Sequence, residues 1–382
     1  RNRGNTMVEV LVVGAGIAGL RLGSNLERKA DGRVLVIEED KYLGKCCAGL
    51  VGKEIYHSKL EENGVINKIK GSIVRSPSGS EVEIRSKKEV AYVISREEVL
   101  KSLSRGLDLS MGERLIGLDL RKKEAITSKE RRIEFDVIVG ASGGKCAVSR
   151  ALGVMKNEKP ILYCLQCEVE SISLDKDLVE IYLNEKISPG FISYLVPTGA
   201  ERARIGVCSN NPVSKNNLEK FLDEVVRKHH GSFQLKRIEG GFIRLKGPET
   251  TEGVNFLLVG EEGGQVKPTT GGGINYSLIC SDIASQFIER FLDGGKLIGY
   301  HSAWKKVLGR EIRFGLMVRR MMDFLGNREY ELIVKILSEL SPSLDDFRFD
   351  SHLYSTMRAI SNGRISGILR GFAFWLRDLL TG

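Results

Sequence analysis

Two periodicities alternate at the start of the chain. Val10 to Val13 is an unbroken apolar run rich in β-branched residues, the pattern of a strand buried on both faces. Ile17 to Leu26 places Ile17, Leu20, Leu22 and Leu26 at helix-compatible positions, and Arg33 to Ile37 returns to a strand that ends on Glu38. Further on, Ile73 to Ile84 reads as a hairpin around Ser76-Pro77-Ser78-Gly79, and Ala91 to Ile94 as a short strand. Ser95 is an N-cap with Glu98 in the capping-box position, so a helix starts at Arg96. Leu115 to Ile133 alternates as a meander around Lys122-Lys123, and Phe135 to Val139 is a second buried strand that runs into glycines at 140–144.

From Ile161 to Arg244 the pattern is strand after strand: Tyr163–Val169, Leu178–Leu183, Phe191–Val196, Ala203–Cys208 and Gly241–Leu245. One helix, Leu218 to His229, interrupts what reads as a mainly antiparallel sheet, a wall for a substrate pocket. Asn255 to Gly260 is a third buried strand, and a glycine-rich loop then leads into a helix from Asn275 through Phe291. Beyond Tyr300 the chain is helical. Its last segment, Ile365 to Leu380, is either a terminal core helix or an interfacial one, since Phe372, Phe374 and Trp375 are flanked by Arg364, Arg370 and Arg377.

The chain has 382 residues, long for one core, with 42% hydrophobic and 28% charged residues, as in ordinary globular proteins. Its net charge of +9 is spread out, which suits either a solvated surface or attraction to anionic lipid; a nucleic-acid partner is not expected. Seven cysteines without regular spacing do not form a secreted disulfide framework. No stretch has signal-peptide make-up or the ~20 apolar residues of a membrane span, so a cytoplasmic location is expected. Arg1 to Thr6 is polar and is set aside as an upstream extension. Abundant Lys, Arg and Glu with scarce Gln is a thermophile-like composition.

The chemistry gathers at the glycines. Gly14, Gly16 and Gly19 have G-x-G-x-x-G spacing between strand and helix, and Glu38 follows about twenty residues later. In that order, the first glycine makes the tight turn, the second admits a pyrophosphate, the third lets helix and strand pack, and the acid can hold a ribose. A dinucleotide site is expected there. Arg96 is either a surface charge or a phosphate contact at a helix start. Cys46 and Cys47 are either small packing residues or a thiol facing cofactor or substrate. Cys164 and Cys167 make a lone C-x-x-C with no second pair, which argues against zinc. His229 and His230 end a helix, where capping and solvent are the expected roles. No Ser/His/Asp arrangement is visible.

Taken together, these pieces resemble the flavoprotein superfamily that includes p-hydroxybenzoate hydroxylase, and within it the archaeal-type geranylgeranyl reductase family. Gly14-Ala15-Gly16-Ile17-Ala18-Gly19 with Glu38 corresponds to the family's FAD adenosine and pyrophosphate site, and Arg96 to its flavin-contacting arginine. Gly260-Glu261-Glu262-Gly263-Gly264 stands where the family writes Gly-Asp-Ala-Ala-Gly, and Pro268 to Ile274 matches Pro-x-x-x-Gly-Gly-Ile beside the flavin ring, bringing in Gly271, Gly272, Gly273 and Ile274. Cys47-Ala48-Gly49-Leu50 lies where the reductases carry a Cys-x-Gly loop. There are departures. Glu261 replaces an Asp, Ser142-Gly143 replaces Asp-Gly, and of a Tyr-x-Trp-x-Phe-Pro pocket segment only the proline, Pro197, and one aromatic position, now Tyr194, survive.

The resemblance implies an α/β protein (α+β overall): a Rossmann-like FAD-binding domain with an interleaved antiparallel-sheet substrate domain and a helical C-terminal region. Residues 7–52, 94–160 and 250–299 would form the first, 53–93 and 161–249 the second, and 300–382 the third. It implies reduction of isolated C=C bonds of a polyprenyl lipid by reduced FAD, with Cys47 supplying the proton or facing the flavin and Tyr194 and Pro197 lining the pocket. Electrons would come from NAD(P)H or ferredoxin, because no second G-x-G-x-x-G exists. Contact with the inner face of the membrane would be peripheral. Two other readings use the same scaffold: a monooxygenase or halogenase, and a FixC-like flavoprotein dehydrogenase.

Overall fold

A computed structural model describes residues 6–27, 34–44, 47–155 and 162–340. The chain opens with β1 (Thr6–Val13), α1 (Ile17–Glu27), β2 (Val34–Glu38) and β3 (Leu50–Gly52). Next come α2 (Lys53–Leu60), β4 (Val65–Ile69), the hairpin β5 (Gly71–Arg75) and β6 (Glu81–Arg85), then β7 (Ala91–Ile94) and α3 (Arg96–Leu103). β8 (Asp108–Met111), β9 (Leu115–Asp119), β10 (Glu124–Thr127), β11 (Arg132–Gly140) and α4 (Ala147–Ala151) complete the first half.

β1 and β2 are apolar because both faces are covered, and they pair in parallel; β1 continues in parallel register onto β11, and β11 onto the later strand Phe256–Leu258. β8 extends the parallel edge beside β2, while β9 and β10 add the expected antiparallel meander on the other side. Leu20, Leu22 and Leu26 of α1 are fully buried, each contributing roughly 2 kcal/mol of burial. Ser95 Oγ accepts the Glu98 N–H, as its N-cap position predicts.

The second half carries β12 (Leu162–Glu170), β13 (Leu178–Tyr182), β14 (Ser193–Gly199), β15 (Arg202–Ser209), α5 (Lys215–Phe221), α6 (Arg227–His230), β16 (Gln234–Ile243) and β17 (Phe256–Leu258). Three long helices follow: α7 (Ile274–Leu292), α8 (Tyr300–Met322) and α9 (Asn327–Leu340). The large sheet has the order β16-β12-β15-β14-β13-β5-β6, antiparallel except where β13 runs parallel to β5. That parallel seam draws the 71–85 hairpin into the sheet, whereas β3 and β4 pair on either side of β7 in a small antiparallel sheet of their own. The mixed α/β architecture and its helical C-terminal region are those expected.

Four local features differ from expectation. The strand placed at Gly241–Leu245 is β16, which begins at Gln234: its first half is an exposed edge on β12 with polar residues, so no apolar pattern announces it. The helix expected over Leu218–His229 has a π-helical turn at Leu222–Val226 between α5 and α6. Cys164 is joined to Cys208 on the neighbouring strand by a disulfide, a pairing that spacing alone does not reveal. His230 turns inward: its side chain is 6% exposed and faces Glu180. The segment Ile365–Leu380 lies outside the described residues.

His230 and Glu180 form a charged pair on the outer face of the sheet. His230 Nδ1 faces the Ser173 carbonyl at 2.7 Å, so Nδ1 donates, and Nε2 lies 3.2 Å from Glu180 Oε1. Only the imidazolium offers that carboxylate a proton. Burial opposes both charges. Hydrogen bonds from His230 and Tyr182, with Arg75 alongside, nevertheless hold Glu180 down at about 2, and Glu180 raises His230. The Glu180 contribution is present above its ordinary value of 4.5 and lost as pH falls towards 2; the His230 contribution is present below 6.5 and lost as pH rises through its raised value. Stability from this pair is therefore expected to peak between those ordinary values. Melting temperature followed across pH should fall on both sides, the acid limb costing on the order of 3 kcal/mol. His230→Gln should flatten the alkaline limb.

Candidate active site: a glycine-rich edge opening on an apolar cavity

β1, β11 and β17 end level with one another, so their loops open on the same edge. Gly14 adopts φ 115°, and a Cβ there would strike the Ala141 backbone. A Cβ on Gly19 would overlap the Gly14 carbonyl oxygen, so the start of α1 rests directly on the turn. Gly16 is different: a Cβ would have only Arg96 Nη2, at 4.0 Å, as neighbour, so its backbone is open to the cavity. Glu38 is buried at the end of β2, where its carboxylate accepts the Ala15 N–H at 2.8 Å and the Asp40 N–H at 3.1 Å. Arg96 starts α3 and lines the cavity, and its enclosed Nε has no hydrogen-bond partner among the described residues.

Opposite stands the loop from Gly260 to Gly273. Gly260 packs on Ala18, where a Cβ would come within 2.8 Å of the alanine methyl. Glu261 lines the cavity, but its Oε1 accepts the Arg244 N–H at 2.8 Å, and Arg244 Nε in turn donates to the Gly144 carbonyl at 2.7 Å. Glu262, which sequence reasoning passed over, is fully buried and accepts the N–H and hydroxyl of Ser142, each at 2.8 Å, with the Ser149 N–H at 2.9 Å. Burial pushes its pKa up against the pull of those donors. Glu262 thus fixes the Ser142-Gly143 loop from below. Gly271, Gly272, Gly273 and Ile274 line the cavity, and α7 begins there with no side-chain cap on its first turn.

The third wall carries Cys47. Its Sγ accepts the Gly49 N–H at 3.4 Å, and the half-buried thiol lines the cavity with Ala48 and Gly49. Cys46 lies outside the described residues. Arg204 Nη1 clamps the loop by donating to the Ala48 carbonyl at 3.1 Å and the Ile94 carbonyl at 3.0 Å. Gln166 Nε2 reaches the Cys47 carbonyl at 3.5 Å, and its Oε1 accepts the Tyr194 hydroxyl at 2.8 Å. Arg204 and Gln166 stand on unremarkable alternating strands, so nothing local in the sequence singled them out.

The three walls bound a continuous cavity of about 1270 Å³. Beyond Tyr194 it is lined by Ile192, Val196, Val179 and Ile181 of the sheet, and it is closed by Ile333, Ile336 and Leu337 of α9. Pro197 is not among the lining residues. Alternation puts it on the face opposite Ile192, Tyr194 and Val196, where its carbonyl accepts from Asn67. Gly14, Gly19 and Gly260 likewise shape the cavity from behind rather than lining it.

A family description for pyridine nucleotide-disulphide oxidoreductases matches residues 8–173, and one for the geranylgeranyl reductase catalytic domain matches residues 161–242. The digeranylgeranylglycerophospholipid reductase of Methanocaldococcus jannaschii is 26% identical over 372 residues, 90% of this chain and 94% of that protein. The corresponding reductase of Methanosarcina acetivorans is 27% identical, covering 92% of each chain. A geranylgeranyl bacteriochlorophyll reductase-like protein from Thermoplasma acidophilum, 21% identical, has the same fold, with a TM-score of 0.81 over 96% of this chain and 100% of its own. The protein is an FAD-dependent oxidoreductase. Within that class, the chain is similar to the geranylgeranyl reductase family.

The cavity wall yields a packing prediction. A Cβ on Gly206 would overlap the Tyr194 ring. Gly206→Val should therefore displace Tyr194 from Gln166 and cost about 1–3 kcal/mol in denaturant unfolding. Tyr194→Phe, which loses the 2.8 Å hydrogen bond to Gln166, should cost about 1 kcal/mol.

Proposed function

We propose that the protein hydrogenates isolated C=C bonds in the geranylgeranyl or longer polyprenyl chain of a membrane lipid. The observation that carries this is the single cavity joining the glycine-rich edge to a long apolar chamber ending at α9. A pocket for one drug-sized ligand is commonly about 300–1,000 Å³; about 1270 Å³ suits a dinucleotide together with an apolar chain. The digeranylgeranylglycerophospholipid reductases among the relatives support the lipid class.

The residues fit FAD. Gly16 leaves the approach a pyrophosphate needs, the orphaned Arg96 Nε calls for an anionic or electron-rich partner, and Glu38 stands where ribose hydroxyls would lie. Gly271 to Ile274 bring the open start of α7 to the ring end of the same site. Bound FAD, once reduced, supplies the hydride. The chain's own work is to hold an unactivated alkene against the ring, exclude water and provide a proton. In this reading Cys47 takes the last task, supported by its position in the cavity lining between Gly44 and Ala48. Tyr194 borders the chamber there. Electrons come from transiently docked NAD(P)H or from ferredoxin.

Peripheral contact with the inner membrane face belongs to the same reading. No helix among the described residues is long and apolar enough to cross a membrane. The α8–α9 corner exposes Phe324 and Leu332 beside exposed Arg320 and Arg328, a mixture suited to an anionic lipid surface.

The test is anaerobic turnover of dithionite-reduced protein with a digeranylgeranylglycerophospholipid and with geranylgeranyl diphosphate, read by mass spectrometry. Stepwise gain of hydrogen pairs without oxygen is expected, and a requirement for oxygen would move the protein to the monooxygenase class. Arg96→Met should weaken FAD binding roughly tenfold to a hundredfold, from one charge-assisted contact. Cys47→Ala should keep FAD and lose turnover; full turnover would remove Cys47 from the mechanism.

A further inference from the structure

Cys164 on β12 and Cys208 on β15 are opposed partners with Cα atoms 4.2 Å apart, joined as a disulfide. Their strands are already paired continuously from Tyr163↔Ser209 to Glu170↔Arg202, so the covalent tie adds nothing to the alignment. Its location is unusual for a staple. Both cysteines line the cavity, Cys164 partly exposed and Cys208 buried, and they stand beside Ile192 and Tyr194. The buried free thiols are differently placed: enclosure pushes Cys146 and Cys167 each up to about 12 and leaves them inert.

The disulfide is also close to the cofactor end. Leu162, two residues earlier on the same face of β12, would lie 3.4 Å from a Cβ on Gly271, and Ile243, its partner on β16, 2.9 Å from it. Two residues along a strand is roughly 7 Å. The bond is thus one strand repeat from Leu162, whose side chain packs on the glycine segment assigned to the flavin ring, and both cysteines line the same cavity as that segment.

We propose that Cys164–Cys208 is a redox-active disulfide that draws electrons from the reduced flavin. The S–S bond breaks and two S–H bonds form. The two electrons and two protons come from the dihydroflavin, which returns to its oxidised form. The pair competes with the alkene for the flavin's electrons. Once open, it leaves two thiols in an otherwise apolar wall next to Tyr194. Prenyl reduction would then proceed at full capacity only after the pair is reduced. The proposal rests on the FAD reading above.

The test is an anaerobic dithionite titration of FAD-reconstituted protein, with flavin absorbance recorded. Quenched samples are alkylated with iodoacetamide, and the β12 and β15 peptides are analysed by mass spectrometry. Apoprotein is titrated in parallel. The holoprotein is expected to consume four electrons per flavin, with Cys164 and Cys208 alkylated only when FAD is present, and Cys208→Ser to consume two while retaining FAD. Consumption of two electrons by the wild type with the disulfide intact would overturn the proposal and leave a structural staple. Equal alkylation of apoprotein would overturn it as well, since the reductant would then reach the sulfurs without the flavin. Failure to take up FAD registers separately, as absence of bound flavin absorbance, and counts against the cofactor reading. If Cys208→Ser does not fold, the wild-type electron count and alkylation decide alone.

Discussion

Backbone packed on backbone at the carboxyl ends of β1, β11 and β17 is the constraint on which the rest of the molecule depends. Gly14 lies under Ala141, Gly19 against the Gly14 carbonyl, and Gly260 against Ala18, each too close to admit a side chain. These contacts seat the start of α1, the Ser142 loop and the Gly260 loop at one level. A methyl group at any of them would push a loop outward, and the edge would no longer present Gly16, Glu38 and Arg96 to one ligand. Glu262 is the polar counterpart of this packing. With its carboxylate sealed under the Ser142 loop, it ties β11 and β17 together through hydrogen bonds that a shorter side chain could not span.

For the proposed reaction the cavity's two ends have to be held in register. That coupling runs through the antiparallel sheet. Arg204 and Gln166 project from β15 and β12 to grip the Cys47 loop, so the thiol is positioned by the wall of the apolar chamber as well as by the nucleotide domain. Tyr194 lies across Gly206 and donates to Gln166, which carries the same chain of contacts to the chamber's lining. α9 closes the far end, hooked to the 76–79 turn where Glu331 accepts from Ser78. The parallel pairing of β13 with β5 is what brings that turn within reach.

What could be read from the sequence was whatever local chemistry dictates. The strand, glycines, helix and acid of residues 8–38 declare themselves because each obeys a short-range rule, and the Ser95 cap does likewise. What escaped depends on partners distant in the chain. Glu262 shows no role of its own until Ser142 and Ser149, more than a hundred residues away, are brought to it. Cys164 finds Cys208 through strand pairing, and His230 finds Glu180 across a helix–sheet interface. The polar half of β16 carries no apolar alternation because it is an edge. Pro197 was drawn into the pocket by its place in a motif, although alternation along β14 turns it away.

That same alternation shows how the departures from the family segment are to be weighed. The positions facing the chamber are Ile192, Tyr194 and Val196, and each of the three differs from the aromatic written there in the family pattern. Two rings have become smaller branched side chains, so the wall keeps its apolar character while yielding volume. Enlarging an apolar chamber without adding polar groups changes which chain lengths fit far more than it changes the class of ligand, since a missing methylene is worth only about 1–3 kcal/mol of discrimination. The polar features that touch the reacting end are untouched by these replacements. On the proposed reading, substrate length and reaction class are therefore set by different residues, those of the chamber wall and those of the edge built on Gly14, Gly16 and Gly19.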